Sequence, residues 1–158
     1  MMKSPLRLGL TACAPLMLSL SLMPAALADA EGYRAEVLSN LLHRATTTSD
    51  GAPIVYPHTE HPEVSTLEII IPPGAETGWH KHPGPLYTYV TAGEVEVELE
   101  DGRKTSFGAG DVIYEVVDSW HNGVNRGSVD ARLIVFALGE EGTPLVVPKE
   151  THQPHNRP

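Results

Sequence analysis

The stretch Gly78-Trp79-His80-Lys81-His82-Pro83-Gly84 is answered further along by Trp120-His121-Asn122-Gly123-Val124-Asn125, and these two segments decide how the chain is read. Histidines two apart on an extended segment turn their imidazoles to the same side, because side chains alternate along a strand. A third histidine on a neighbouring strand can complete one face of a metal ion's coordination sphere. His80, His82 and His121 are therefore the candidate metal ligands. A lone histidine near a strand is usually only a polar surface residue, but three in this pattern argue for a site.

Around these segments the chain reads as short strands and turns. Thr66-Leu67-Glu68-Ile69-Ile70-Ile71 is rich in β-branched residues and stops at Pro72-Pro73-Gly74. Residues 86–91 form another strand, turned by Ala92-Gly93. Glu94-Val95-Glu96-Val97-Glu98-Leu99-Glu100 alternates strictly, which sends Val95, Val97 and Leu99 to a core and the glutamates to a solvated face. Asp101-Gly102 signals a hairpin, and its composition suits a type I′ turn. Residues 111–117 and 132–138 supply two more strands. Helical periodicity is weak throughout; residues 33–42 are open to either a short helix or a first strand. Many short strands with regular turns point to an all-β sandwich or barrel.

The spacing of the motifs is similar to that of the cupin superfamily. Gly74, five residues, His80-Lys81-His82 and Gly93 match the first cupin motif, and Gly110, His121 and Asn125 match the second. The 16 residues between Gly93 and Gly110 suit the family's short linker. The resemblance covers residues 66–138 and implies a double-stranded β-helix, or jelly-roll, barrel. Three positions depart from the family pattern. Its glutamate ligand falls at position 86, where this chain has Leu86, and the proline and glycine of the second motif are replaced by Val116 and Asp118. The resemblance then leaves a three-histidine site, an arrangement that occurs in thiol dioxygenases and a diketone-cleaving dioxygenase of the family.

Three neutral imidazoles leave a divalent ion's charge uncompensated, which favours a small anionic, chelating ligand. Imidazole suits several metals. Fe(II) is expected for an oxygenase, with Zn, Cu, Mn or Ni as alternatives. The expected function is a metal-dependent, dioxygenase-like enzyme acting on a small organic acid or diketone. The alternative is a non-catalytic cupin that binds a metal or small ligand. Glu76, four residues before His80, is the one candidate acid or base and could also be a fourth ligand or a carboxylate orienting a histidine, although a rim salt bridge is the simpler reading. Asn125 reads as a hydrogen-bonding residue. Tyr87 and Tyr89, and also Trp79 and Trp120, should point away from the metal by alternation. Tyr114 is open in phase, and His43, His58 and His61 read as incidental.

The ends of the chain suggest an address. Lys3 and Arg7 precede an apolar run over residues 8–23, and Ala26-Leu27-Ala28 offers small residues for cleavage. Residues 1–28 are thus expected to be a signal peptide, cleaved after Ala28, with Ala30 as a competing site. Secretion or a periplasmic location follows. Leu10-Thr11-Ala12-Cys13 also resembles a lipobox, but the long apolar stretch follows Cys13 rather than preceding it, so lipidation at Cys13 is the lesser reading. Cys13 is the only cysteine, so neither a disulfide nor a thiolate ligand is expected in the mature chain. Without Lys3 and Arg7, 9 basic residues face 20 acidic ones, a net charge of −11. Such a balance argues against nucleic acid or an anionic membrane as partner. No membrane span is expected, and homodimerisation is an expectation carried by the family. The domain plan is a signal peptide (1–28), N-terminal strands or an arm (29–65), the barrel (66–143) and a flexible tail (144–158) that carries His152 and His155.

Overall fold

A computed structural model describes residues 37–150. The expected signal peptide, Cys13, His152 and His155 lie outside the described residues. The described residues from Leu41 onward form one compact unit that carries every strand described here. They are β1 (Pro62–Ile71), β2 (His80–Lys81), β3 (Leu86–Ala92), β4 (Glu94–Leu99), β5 (Lys104–Gly108), β6 (Val112–Tyr114), β7 (His121–Val124), β8 (Ala131–Glu140) and β9 (Val147–Pro148).

Two antiparallel sheets face each other, ordered β1-β8-β3-β6 and β5-β4-β7-β2-β9. This is the double-stranded β-helix that the motif spacing implied. The alternation of β4 and of β8 shows why the sequence closes this way. Val95, Val97 and Leu99 on one sheet meet Leu133, Val135 and Ala137 on the other, all buried, in one core with Val90, Ile113 and Val116. Pro62 can begin β1 because β1 is an edge strand, where a missing N–H breaks no ladder. Among the described residues no helix is long and apolar enough to cross a membrane.

Several local expectations are corrected. Residues 37–45 form neither helix nor strand; among the described residues the arm before β1 makes one isolated bridge, Thr47–Pro53, and Ser49 N donates to Tyr114 O of the barrel. β1 begins at Pro62, so the barrel starts inside the segment assigned to the arm. The β4–β5 hairpin exists, but its turn is not type I′. Gly102 alone has a positive φ, of 87°, and Gly102 N donates to Leu99 O while Asp101 Oδ1 accepts from Arg103 N. That is a type I turn followed by a left-handed glycine. On the outer face of β4, Glu96 and Glu98 are bridged by Arg126 and Lys104 rather than standing free in solvent. Finally, the segment after Pro144 is not a free tail over its described part. Val147 pairs with Lys81, Pro148 with His80, and Lys149 N donates to Trp79 O.

Candidate metal centre

β2 is only two residues long, yet it sits between β7 and β9 and so holds the first histidine opposite the third: His80 pairs with His121. His82 follows β2 and bridges Val117 in parallel fashion. Alternation puts His80, His82 and His121 on the inner face. Their ring centroids stand 4.3 Å (His80–His121), 4.9 Å (His80–His82) and 4.9 Å (His82–His121) apart. One ring nitrogen from each lies within 4.8 Å of the others, close enough to hold a metal ion. The structure therefore brings together all three histidines singled out in the sequence.

Each ring is anchored from behind by a backbone carbonyl. His80 Nδ1 donates to Gly78 O at 2.7 Å, His82 Nδ1 to Leu145 O at 2.8 Å, and His121 Nδ1 to Ser119 O at 2.9 Å. A carbonyl can only accept, so the proton is on Nδ1 and the Nε2 lone pair is left for a ligand. Burial pushes His82 and His121 down to about 4; the carbonyl hydrogen bonds oppose this, and neighbouring imidazoles add to it. Both rings are neutral at neutral pH, the form that coordinates metals.

The cavity in front of these rings has a volume of about 210 Å³ and a mostly aliphatic wall. Leu86 lies in that wall, where the family motif would place a glutamate. A carboxyl nevertheless enters the cavity from the residue that follows β6, the strand beside β3. Glu115, its side chain 12% exposed, sets Oε2 3.8 Å from His121 Nε2, and its Oε1 accepts from Thr88 Oγ1 at 2.9 Å. Burial raises Glu115 to about 7, against the opposing pull of the Thr88 hydroxyl. The carboxyl beside the histidines is therefore Glu115, which the sequence reading did not single out, rather than Glu76.

Glu76 is placed elsewhere. Thr77 lines the cavity and Glu76, one position before it, takes the opposite face, where its Oε2 accepts from Asn122 Nδ2 at 2.9 Å. Asn125 is fully buried and fastens the barrel, donating to Ile71 O and Val129 O and accepting from Gly127 N. Tyr87, Tyr89, Trp79 and Trp120 line no part of the cavity, as alternation required. Tyr114 belongs to the outer face too, edge-on to Tyr87 and close to His43. Lys149 sits over both tryptophan rings and fixes the segment that carries Leu145.

Residues 67–137 match the family model described as "Cupin domain". Among solved structures, the chain is similar to a protein described as a predicted oxalate decarboxylase from Thermotoga maritima (27% identity, TM-score 0.42), with 46% of this chain and 64% of that one covered. It is also similar to a conserved protein with a double-stranded β-helix domain from Klebsiella pneumoniae (22% identity, TM-score 0.46; 61% and 91% covered). A third likeness is to a polyketide cyclase from Streptomyces resistomycificus (24% identity, TM-score 0.48; 56% and 61% covered). The chain thus spans less than two thirds of the length of the first of these proteins and of the third. No curated protein matches it.

Proposed function

This chain belongs to the cupin superfamily, and from that premise we propose that it is a metal-dependent, dioxygenase-like enzyme acting on a small chelating organic acid or diketone. The observation that carries the reading is the convergence of three Nε2 atoms, each with its Nδ1 tied to a carbonyl, on a cavity that also holds Glu115. His80, His82 and His121 would hold the ion, with Fe(II) favoured and Zn, Cu, Mn or Ni as alternatives. A bound divalent ion supplies Lewis acidity toward an anionic oxygen.

The chain's own residues do the rest. The three imidazoles occupy one face and leave the other toward the cavity, so a ligand approaches from the aliphatic side. Glu115 is the acid–base group beside that approach, apart from the histidines themselves, and Thr88 fixes which of its oxygens faces the rings. Its elevated proton affinity suits holding and returning a proton near neutral pH. Leu86, Leu145 and Val146 give the wall beside the histidines an apolar surface. Export to the periplasm or beyond, through residues 1–28, belongs to the same reading.

Elemental analysis of the purified protein beside His82→Ala tests the ligands, and aerobic turnover of acids, diketones and thiols by the Fe(II)-loaded protein tests the activity. The proposal expects metal in the wild type, little in the variant, and turnover of at least one class. Tight metal binding without turnover across the panel would favour a non-catalytic binder instead.

A further inference from the structure

The cavity wall restricts what can approach the histidines. Its polar groups are gathered at one pole: the three imidazoles, Glu115, Thr88 and Thr77. The remaining wall is aliphatic, from Leu67, Ile69 and Ile71 on β1 across Val97 to Leu133 and Val135 on β8. Among the described residues no lysine, arginine or aromatic ring other than histidine lines it. The carboxyl of Glu115 is the only other group able to carry charge, and it has the wrong sign for a second anion.

The size is equally selective. At about 210 Å³, the cavity falls below the usual 300–1,000 Å³ range of drug-sized pockets. At roughly 30 Å³ per liquid water it has room for about seven waters. A ligand here has one chelating head and a short body.

We propose, on the basis of the metal-site reading above, that this cavity is selective for a monoanionic 2-oxo or 2-hydroxy acid with a short, branched aliphatic body. It should discriminate against dicarboxylates such as oxalate or 2-oxoglutarate. The head would lie at the histidine pole, and the body would displace poorly hydrogen-bonded water from the aliphatic wall. The second carboxylate of a dianion would be buried among leucine, isoleucine and valine with no cation to meet it. A short dianion such as oxalate avoids the wall but gains nothing from it, and both its charges depend on the metal pole.

The test is calorimetry on zinc-loaded protein with 4-methyl-2-oxopentanoate, oxalate and 2-oxoglutarate as probes. The branched acid should bind at least tenfold tighter than either dianion. Leu67→Ala, which cuts back a partly buried wall residue, should weaken the branched acid by about tenfold and leave oxalate unchanged. Equal or tighter binding of either dianion, or no binding of the branched acid, overturns the proposal, as does a Leu67→Ala variant that loses both probes alike. Zinc content separates the two levels of the argument. Wild type that holds neither iron nor zinc brings down the metal reading and the ligand class with it, whereas wild type that holds zinc, loses it in His82→Ala and prefers oxalate sinks the ligand class alone.

Discussion

Glu115 and Leu86 face one another across the β3–β6 pair: Glu115 N donates to Leu86 O at 3.0 Å, and both side chains line the histidine cavity. A carboxyl missing from one strand is thus present on its neighbour. It stands outside the cluster of ring nitrogens that lie mutually within 4.8 Å, near His121 rather than among all three rings. This placement favours a proton-handling role over ligation.

Glu115→Gln keeps the shape and the Thr88 contact while removing the exchangeable proton. Metal content should stay near the wild-type level, and turnover should fall by about 10²- to 10⁴-fold. Moving the carboxyl, with Leu86→Glu and Glu115→Leu combined, should instead raise metal affinity above that of Glu115→Leu alone. Titration with a chromophoric chelator and steady-state kinetics read the two effects separately.

The metal-free protein should lose stability as pH falls from about 6.5 toward 4. His82 and His121, at about 4 in the fold against 6.5 unfolded, favour the folded state fully above 6.5 and lose that contribution as pH falls. Glu115 has the opposite sign. At about 7 in the fold against 4.5 unfolded, its contribution is complete below 4.5 and disappears as pH rises through 7. Between 4.5 and 6.5 two histidines outweigh one glutamate by one proton, a slope on the order of 1 kcal/mol per pH unit. Glu115→Gln should roughly double that slope and stabilise the protein above pH 7. Urea midpoints across pH 4–8 measure it, and a flat profile for wild type would contradict it.

Asp118 is the one non-glycine residue with a positive φ, 52°, among the described residues, and it occupies the position where the second motif has glycine. Its backbone is held by Asp118 N donating to His82 O at 2.8 Å, and its side chain pairs with the partly exposed Lys81. Asp118→Gly should therefore leave stability within about 0.5 kcal/mol, since a surface ion pair is worth little. Asp118→Val should cost about 1–2 kcal/mol, because a β-branched side chain tolerates the left-handed region poorly. Thermal melts of the two variants decide the matter.

Deleting residues 143–150 removes the carbonyl that anchors His82 and two wall residues of the cavity. The barrel strands β1–β8 remain, so cooperative unfolding should persist. Zinc affinity should drop by about 10- to 100-fold, the usual effect of losing a hydrogen-bond partner behind a metal ligand. Unchanged affinity would show that the Leu145 carbonyl does not orient the ring.

What the sequence disclosed depended on how much each residue's neighbours constrained it. His80 and His82 could be read from their spacing and His121 from its register, and β4 from strict alternation. Glu115 could not be read the same way. It lies in Val112-Ile113-Tyr114-Glu115-Val116-Val117, which is apolar in both phases, so no pattern says which face is inward. The phase is settled only by pairing with β3, a long-range contact. β9 escaped for a related reason. Pro144 and Pro148 bracket Leu145-Val146-Val147, so the stretch reads as a terminated coil until β2 supplies a partner. Asp101-Gly102 was correctly a hairpin, but the dipeptide does not distinguish a two-residue turn from a longer one with a glycine bulge.

The Leu145 carbonyl has a consequence for the order of assembly. Residues 143–149 leave the ribosome after all eight barrel strands, and a chain folds broadly in the order in which it appears. The carbonyl that orients His82 thus comes from a segment outside the eight barrel strands, so closing the barrel and orienting the third ring are separable events.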